Sequence, residues 1–256
     1  SSVRSPSLLV FDFDGVIVDG MNEYWWSARR ACLQLNPAVD LPESTPPQFR
    51  QLRPWIHHGW EMVLSAALIS EQRGPLDQLG VQAFVHDYTA QCTAALERFG
   101  WTPALLQQTL EVVRADAVRT DRDSWLALHQ PYPGVPERLT AFSEENMAWA
   151  VLTTKARDFT AELLASMGLK PERLDGHESG SKPEVLRRLA CDWTLEGFVE
   201  DRRPTLETVR TTPGLETLPC WLVSWGYLRP SDVKGLSGGI RLLRPEQFAA
   251  PLADWP

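Results

Sequence analysis

The apolar positions of this chain fall into two regimes. Residues 8–11 are an unbroken apolar run, Leu-Leu-Val-Phe, the pattern of a parallel strand buried on both faces. Between residues 21 and 129 the apolar positions recur at helical spacing instead, in segments 21–35, 55–73, 79–99, 102–118 and 121–129 separated by Pro and Gly. Val63/Ala66/Ala67 and Phe84/Tyr88/Cys92 show the spacing that predicts amphipathic helices. The stretch 36–54, with prolines at 37, 42, 46, 47 and 54, predicts a long loop or a short, irregular helix pair. After the turn Pro131-Tyr132-Pro133-Gly134 strands return: a helix near 136–145, a strand at 148–152, helices at 157–167 and 183–191, a strand near 196–200, a helix at 204–211 and strands at 220–225 and 239–243. Strand–helix alternation of this kind predicts an α/β fold with a doubly wound parallel sheet, a Rossmann-like core. Residues 1–20 and 130–256 would form that core, and 21–129 an inserted α-helical unit.

Composition narrows the function. At 256 residues, 43% apolar and 23% charged, the chain can bury a large core. A net charge of −8 without a basic tract gives no support to nucleic-acid binding. No apolar stretch has the length of a membrane span and no signal-like segment precedes the first strand, so a cytoplasmic location is expected. The cysteines at 32, 92, 191 and 220 have neither redox nor zinc spacing and are expected to be buried thiols. The eleven tryptophans are scattered and are expected to fill the core.

The candidate chemistry sits where predicted strands end. Asp12 and Asp14 close the first strand two residues apart, so both can reach one pocket, and Gly15 supplies a sharp turn. Carboxylates this close repel unless a cation or a shared proton intervenes. The strand at 148–152 ends in Thr153-Thr154-Lys155, the strand near 196–200 ends in Glu200-Asp201, and Lys182-Pro183 opens a helix. In open parallel sheets, ligands bind beyond such carboxyl ends.

Asp12-Phe13-Asp14-Gly15-Val16 with Asp19 resembles the nucleophile motif of the haloacid dehalogenase superfamily, in particular its phosphoglycolate phosphatase-like branch. The resemblance implies that Asp12 attacks phosphorus to give an aspartyl-phosphate. Asp14 would protonate the leaving oxygen and then activate water. Asp12 and the backbone carbonyl of Asp14 would hold Mg²⁺. True dehalogenases lack the second Asp, so Asp14 favours phosphate-ester chemistry. Thr153 matches the family's phosphate-binding hydroxyl, Thr154 stands where an Asn is frequent, and Lys155 is either a phosphate contact or an exposed loop residue. Lys182 matches the third-motif lysine. Asp201 matches the leading acid of the last motif, but the usual second acid is replaced by Thr205, leaving Glu200 or Glu207 to complete the metal shell. Glu200 could equally pair with Arg202 or Arg203. Pro133-Gly134-Val135, Trp225-Gly226-Tyr227 and Pro245-Glu246-Gln247-Phe248 resemble core segments of the same branch.

The insertion would then be a helical cap. Within it Arg53 and His57 are candidates for reading an anionic or hydroxylated substrate; the alternative is an exposed loop and helix start with Trp55 and Trp60 packed inward. No lysine occurs between residues 20 and 130, which argues against the Schiff-base phosphonatases of the family. The implied activity is a Mg²⁺-dependent phosphatase of a small phosphorylated metabolite such as phosphoglycolate or a sugar phosphate, as monomer or homodimer, without nucleic-acid or membrane partners. A phosphomutase of the same family and a catalytically idle binding member are the alternatives.

Overall fold

The structure is a computed structural model that describes residues 5–236 and 238–256. The chain enters through β1 (Ser7–Phe11) and the two-residue β2 (Val18–Asp19). It then passes through α1 (Met21–Leu35), α2 (Pro47–Leu52), α3 (Gly59–Ser70), α4 (Pro75–His86), α5 (Tyr88–Phe99), α6 (Pro103–Thr120) and α7 (Arg122–Ala127). It returns in β3 (Gln130–Pro131), which pairs antiparallel with β2. There follow α8 (Val135–Ala141), β4 (Ala148–Leu152), α9 (Arg157–Ser166), β5 (Arg173–Asp175), α10 (Lys182–Asp192), β6 (Thr194–Glu200), α11 (Arg203–Arg210), β7 (Cys220–Val223), β8 (Ile240–Leu243) and α12 (Pro245–Ala249). Two compact units result: Gly20–His129, and the remainder from both ends of the chain.

The large sheet is parallel, in the order β5-β4-β1-β6-β7-β8. Each face of β1 meets its own layer, which is why the run is continuously apolar. Leu8 and Val10 join Leu186, Phe198, Leu206 and Leu222 in one core cluster. Phe11 packs instead among the rings of Phe142, Trp149 and Phe248, 6.0–6.3 Å away. The chain leaves β1, adds β4 and β5 on one side, then crosses to add β6, β7 and β8 on the other. The crevice at such a reversal lies beyond the carboxyl end of β1. Register aligns the candidates there: Phe11 sits opposite Val151 and Val199, so Asp12 emerges level with Leu152 and Glu200.

Several local expectations are corrected. The helix expected over 79–99 is two helices, α4 and α5, broken at Asp87, and α4 is itself kinked at Gly80, whose φ is 77°. The helix expected from 55 starts only at Gly59, because Glu61 reaches back to the His58 N–H in a capping box. The stretch 36–54 does hold a short helix, α2, followed by a single 3₁₀ turn at Arg53–Trp55. β5 was not expected. Cys32, Cys92 and Cys220 are buried, but Cys191 is exposed on α10. Trp25, Trp125, Trp149, Trp221 and Trp255 are buried, whereas Trp26, Trp55, Trp60, Trp101, Trp193 and Trp225 are half-buried. Among the described residues, no helix is long and apolar enough to cross a membrane.

Candidate active site

The loop after β1 is shaped by two backbone demands. Phe13 O accepts the N–H groups of Ile17 and Val18, and Gly15 N–H bonds Val18 O, so the chain turns back at once. Gly15 sits at φ 81°, a left-handed conformation disfavoured for other residues. It also has no room for a side chain: a Cβ there would stand 2.7 Å from Asp201 Cγ. A Cβ on Gly226 would stand 3.3 Å from the same carbon and 3.1 Å from Gly15 O. Two glycines therefore form the cradle in which Asp201, itself buried, rests with Oδ2 accepting the Tyr227 N–H at 3.1 Å. Gly15→Ala is expected to cost about 1–3 kcal/mol through backbone strain alone. It should also displace Asp201, so that any rise of the melting temperature that a divalent cation gives the wild type is lost; the same cation-dependent melt in both proteins would show that the two glycines do not set the position of Asp201.

Lys182, the first residue of α10, carries its ammonium to the end of β1 and β6. Its Nζ lies 3.1 Å from Asp12 and 2.7 Å from Glu200, whose side chain is completely buried. Ser181 caps the helix by accepting the Glu184 N–H, and Pro183 fixes the first turn. Burial would push the Lys182 ammonium toward deprotonation, but the charges of Asp12 and Glu200 outweigh it and hold its pKa above the ordinary lysine value. Asp12 shows the opposite balance. Burial and then the Glu200 charge raise its pKa well above the usual carboxylate value, and Lys182 only partly offsets them.

Glu200 accepts from Lys182 on Oε2 and from the Asp201 N–H on Oε1, so of its two expected settings it takes the one within the acidic cluster. Arg203 is engaged with Glu207 at 2.8 Å on the exposed side of α11, which carries Glu207 away from this cluster. Asp14 stands nearby, its charge felt at Asp12. Its Oδ2 is 3.6 Å from Lys155 Nζ, while Oδ1 is buried with no hydrogen-bond partner among the described residues. Thr153 is buried, and its Oγ1 accepts the Lys155 N–H at 3.1 Å, which fixes the rotamer and leaves the hydroxyl proton to donate. Thr154 is exposed on the same turn. Arg53 and His57 lie in the insertion. Arg53 donates to Ile56 O at 3.1 Å and stacks over Tyr24 at 5.0 Å, and His57 is exposed with its N–H on Glu61.

Asp12, Glu200 and Asp201 offer carboxylate oxygens all within 4.8 Å of one another. With Asp14 they make four acids against the two ammonium groups of Lys155 and Lys182. A divalent cation would neutralise the remainder. The donor set is purely carboxylate oxygen, which suits a hard ion such as Mg²⁺, and the orphaned Asp14 oxygen marks the pocket as lacking a positive or donating group. The residues present therefore fit such an ion. The Tyr227 amide and the Trp225 indole, which donates to Val16 O at 2.9 Å, are contributors that residue-type reasoning did not assign to the site. The sequence signal for them is the resemblance of Trp225-Gly226-Tyr227 to a core segment of the family, which assigns neither residue a role.

A model of the haloacid dehalogenase-like hydrolases matches residues 6–190. This chain belongs to that family. Among curated proteins, an N-acetylmuramic acid 6-phosphate phosphatase from Pseudomonas aeruginosa is 25% identical over 133 residues, 48% of this chain and 57% of the relative. The match thus spans little more than half the length of that protein. Among solved structures, a Haemophilus somnus protein described as a predicted phosphoglycolate phosphatase superposes with a TM-score of 0.61 at 15% identity, covering 97% of each chain. A Thermotoga maritima protein provisionally assigned as a beta-phosphoglucomutase gives 0.56 at 16% identity, covering 95% of this chain and 96% of the other. At such identities these two establish the fold. The chain is thus placed among the haloacid dehalogenase-like hydrolases, and its relatives there include a phosphatase.

Proposed function

We propose that this haloacid dehalogenase-like chain is a Mg²⁺-dependent phosphatase of a small phosphorylated metabolite, of the phosphoglycolate or sugar-phosphate kind, working through an aspartyl-phosphate on Asp12. The observation that carries the reading is the buried carboxylate of Asp12 held 3.1 Å from Lys182 at the end of the central strand, with Asp201 and Glu200 beside it. The metal, held by Asp12 and Asp201 with Glu200 supplying further negative charge, would neutralise a phosphoryl oxygen and so favour approach of the anionic substrate. Lys182 orients the Asp12 carboxylate, and Thr153 donates its free proton to another phosphoryl oxygen. Asp12 forms a bond to phosphorus as the ester P–O bond breaks, and Asp14, from the orphaned Oδ1 when protonated, delivers its proton to the departing oxygen. Water then attacks the phosphoryl group, its proton passes to Asp14, and the Asp12 carboxylate is regenerated with release of phosphate. Positioning and charge carry nearly all of such a reaction.

The test is phosphate release from p-nitrophenyl phosphate and from a panel of phosphorylated metabolites that includes amino-sugar 6-phosphates. Release is expected with Mg²⁺ and is expected to vanish with EDTA. Conversion of a hexose 1-phosphate to the 6-phosphate without free phosphate would assign a mutase instead, and no turnover on any member would leave an idle fold.

A further inference from the structure

One short segment, Trp225-Gly226-Tyr227 after β7, touches both the acidic pocket and the place where the insertion joins the core. Its Tyr227 N–H donates to Asp201, and Gly226 packs against Asp201 and the Gly15 carbonyl. The Tyr227 phenol reaches the other way and donates to Asp19 Oδ1 at 3.1 Å. Asp19 ends β2, and it pairs with Gln130 of β3 across the two-residue ladder through which the chain leaves and re-enters the core. On the returning side, Tyr132 donates its N–H to Ile17 O at 3.0 Å, and its hydroxyl bonds Tyr227. Burial, then the nearby Asp19 charge, raises the Tyr132 pKa, so this phenol stays protonated and serves as a fixed hydrogen-bonding group.

The two-residue ladder has little strength of its own. A two-stranded ladder of such length needs outside support to persist, and the Tyr227 phenol on Asp19 adds to what the Tyr132 N–H on Ile17 O and the Gly15 N–H on Val18 O supply. We propose that Tyr227 is a positioning residue that couples the acid Asp201 to the neck strands β2 and β3, so that a cation bound at Asp201 tightens the neck. The amide and the phenol belong to one residue shortly past the end of β7, so a shift of Asp201 is carried to Asp19 through a single rigid ring. Coupling of this sort runs both ways. Ordering the neck strengthens cation binding at Asp201 by the same factor by which cation binding favours the ordered neck. The physical carrier is one contiguous chain, Asp201 to the Tyr227 amide, across the ring to Asp19, and across the ladder to Gln130. This inference rests on the reading of Asp201 as a cation-holding acid, but not on the identity of the substrate.

The test is hydrogen exchange, followed by mass spectrometry, of peptides covering 16–20 and 129–133 in the full chain, with and without Mg²⁺. A thermal melt against Mg²⁺ concentration measures cation binding separately. In the wild type Mg²⁺ is expected to slow neck exchange at least about fivefold, the lower end of measured site-to-site couplings. Tyr227→Phe retains the ring and the amide on Asp201, so Mg²⁺ should still raise its melting temperature, but neck exchange should be fast and indifferent to Mg²⁺. Asp19→Ala should behave like Tyr227→Phe, whereas Asp19→Asn keeps an acceptor oxygen and should preserve the response. Equal Mg²⁺ protection in Tyr227→Phe and wild type, or a wild-type neck that ignores Mg²⁺ while the melting temperature rises, overturns the coupling. A wild-type melting temperature that ignores Mg²⁺ overturns the cation reading itself.

Discussion

Asp12→Asn is expected to lower phosphate release by at least about a thousandfold, as removal of a covalent nucleophile does elsewhere, while the metal-free protein melts no lower than the wild type. The two halves of this result have one cause. Asp12 is buried against Glu200, and its pKa is raised for that reason. A carboxyl whose folded pKa is raised contributes stability that is complete below its unfolded value, near 3.8, and is lost as pH climbs through the folded value. The metal-free wild type therefore loses stability across the weakly acid range above about pH 4. The amide introduced by Asp12→Asn does not ionise and removes that loss. The gap in melting temperature between variant and wild type should accordingly widen from about pH 4 upward. Added Mg²⁺ should narrow it, because the cation stabilises the ionised wild-type acid more than the amide. Thermal melts at a series of pH values, each with EDTA or Mg²⁺, provide the measurement. A variant that melts several degrees below wild type in EDTA at neutral pH would show that Asp12 is a structural partner of Lys182 before it is anything else.

How much of the fold and the site is legible in the sequence follows from where each signal is stored. β1 and its terminal acids are contiguous, and an apolar run that stops at Asp12 has few other meanings. The same holds for β4 ending at Thr153 and β6 ending at Glu200-Asp201. β5 escaped notice because Arg173-Leu174-Asp175 is a three-residue edge strand whose polar ends give no periodicity. The break at Asp87 was hidden because apolar spacing runs on through it; the chain kinks there for tertiary reasons that spacing does not encode. Glu200 was legible as an acid at a strand end but not as a partner of Lys182, since the two are 18 residues apart and meet only when α10 is laid against β6. The Tyr227 contacts with Asp201 and Asp19 span 26 and 208 residues. Pairings of that range are properties of the folded sheet, and the aromatic itself carries no mark of them. Arg53 and His57 are marked by residue type alone; the Arg53 guanidinium donates to Ile56 O and lies over Tyr24, and the His57 imidazole is exposed.

Lys182→Met should be the most damaging single change to stability, costing about 3–5 kcal/mol in urea unfolding without metal, the range for removing one partner of a buried ion cluster. The ammonium is nearly enclosed and is the shared partner of Asp12 and of the fully buried Glu200. Methionine fills most of the same volume, so the loss would reflect uncompensated charge and not a cavity. Because Asp12 and Glu200 hold the Lys182 pKa above the ordinary lysine value of 10.5, the pairing is intact throughout the neutral range and is lost only at strongly alkaline pH. Removing the ammonium also takes away the one charge that lowers the Asp12 pKa, so the cost should be larger at about pH 8 than at about pH 6, where the stranded carboxyl can still take up a proton. A second substitution identifies the source. Glu200→Gln keeps an oxygen to accept the Asp201 N–H but removes the stranded charge, so in the Lys182→Met background it should restore about 1–3 kcal/mol, whereas alone it should destabilise. Additive losses in the double variant would mean that the two side chains contribute separately, and the electrostatic account of the pocket would fail with them. Mg²⁺ should recover part of the Lys182→Met loss by taking over the charge on Asp12, but not the lost turnover, since a cation shared between oxygens cannot reproduce the directional hold of an ammonium 3.1 Å from the nucleophile.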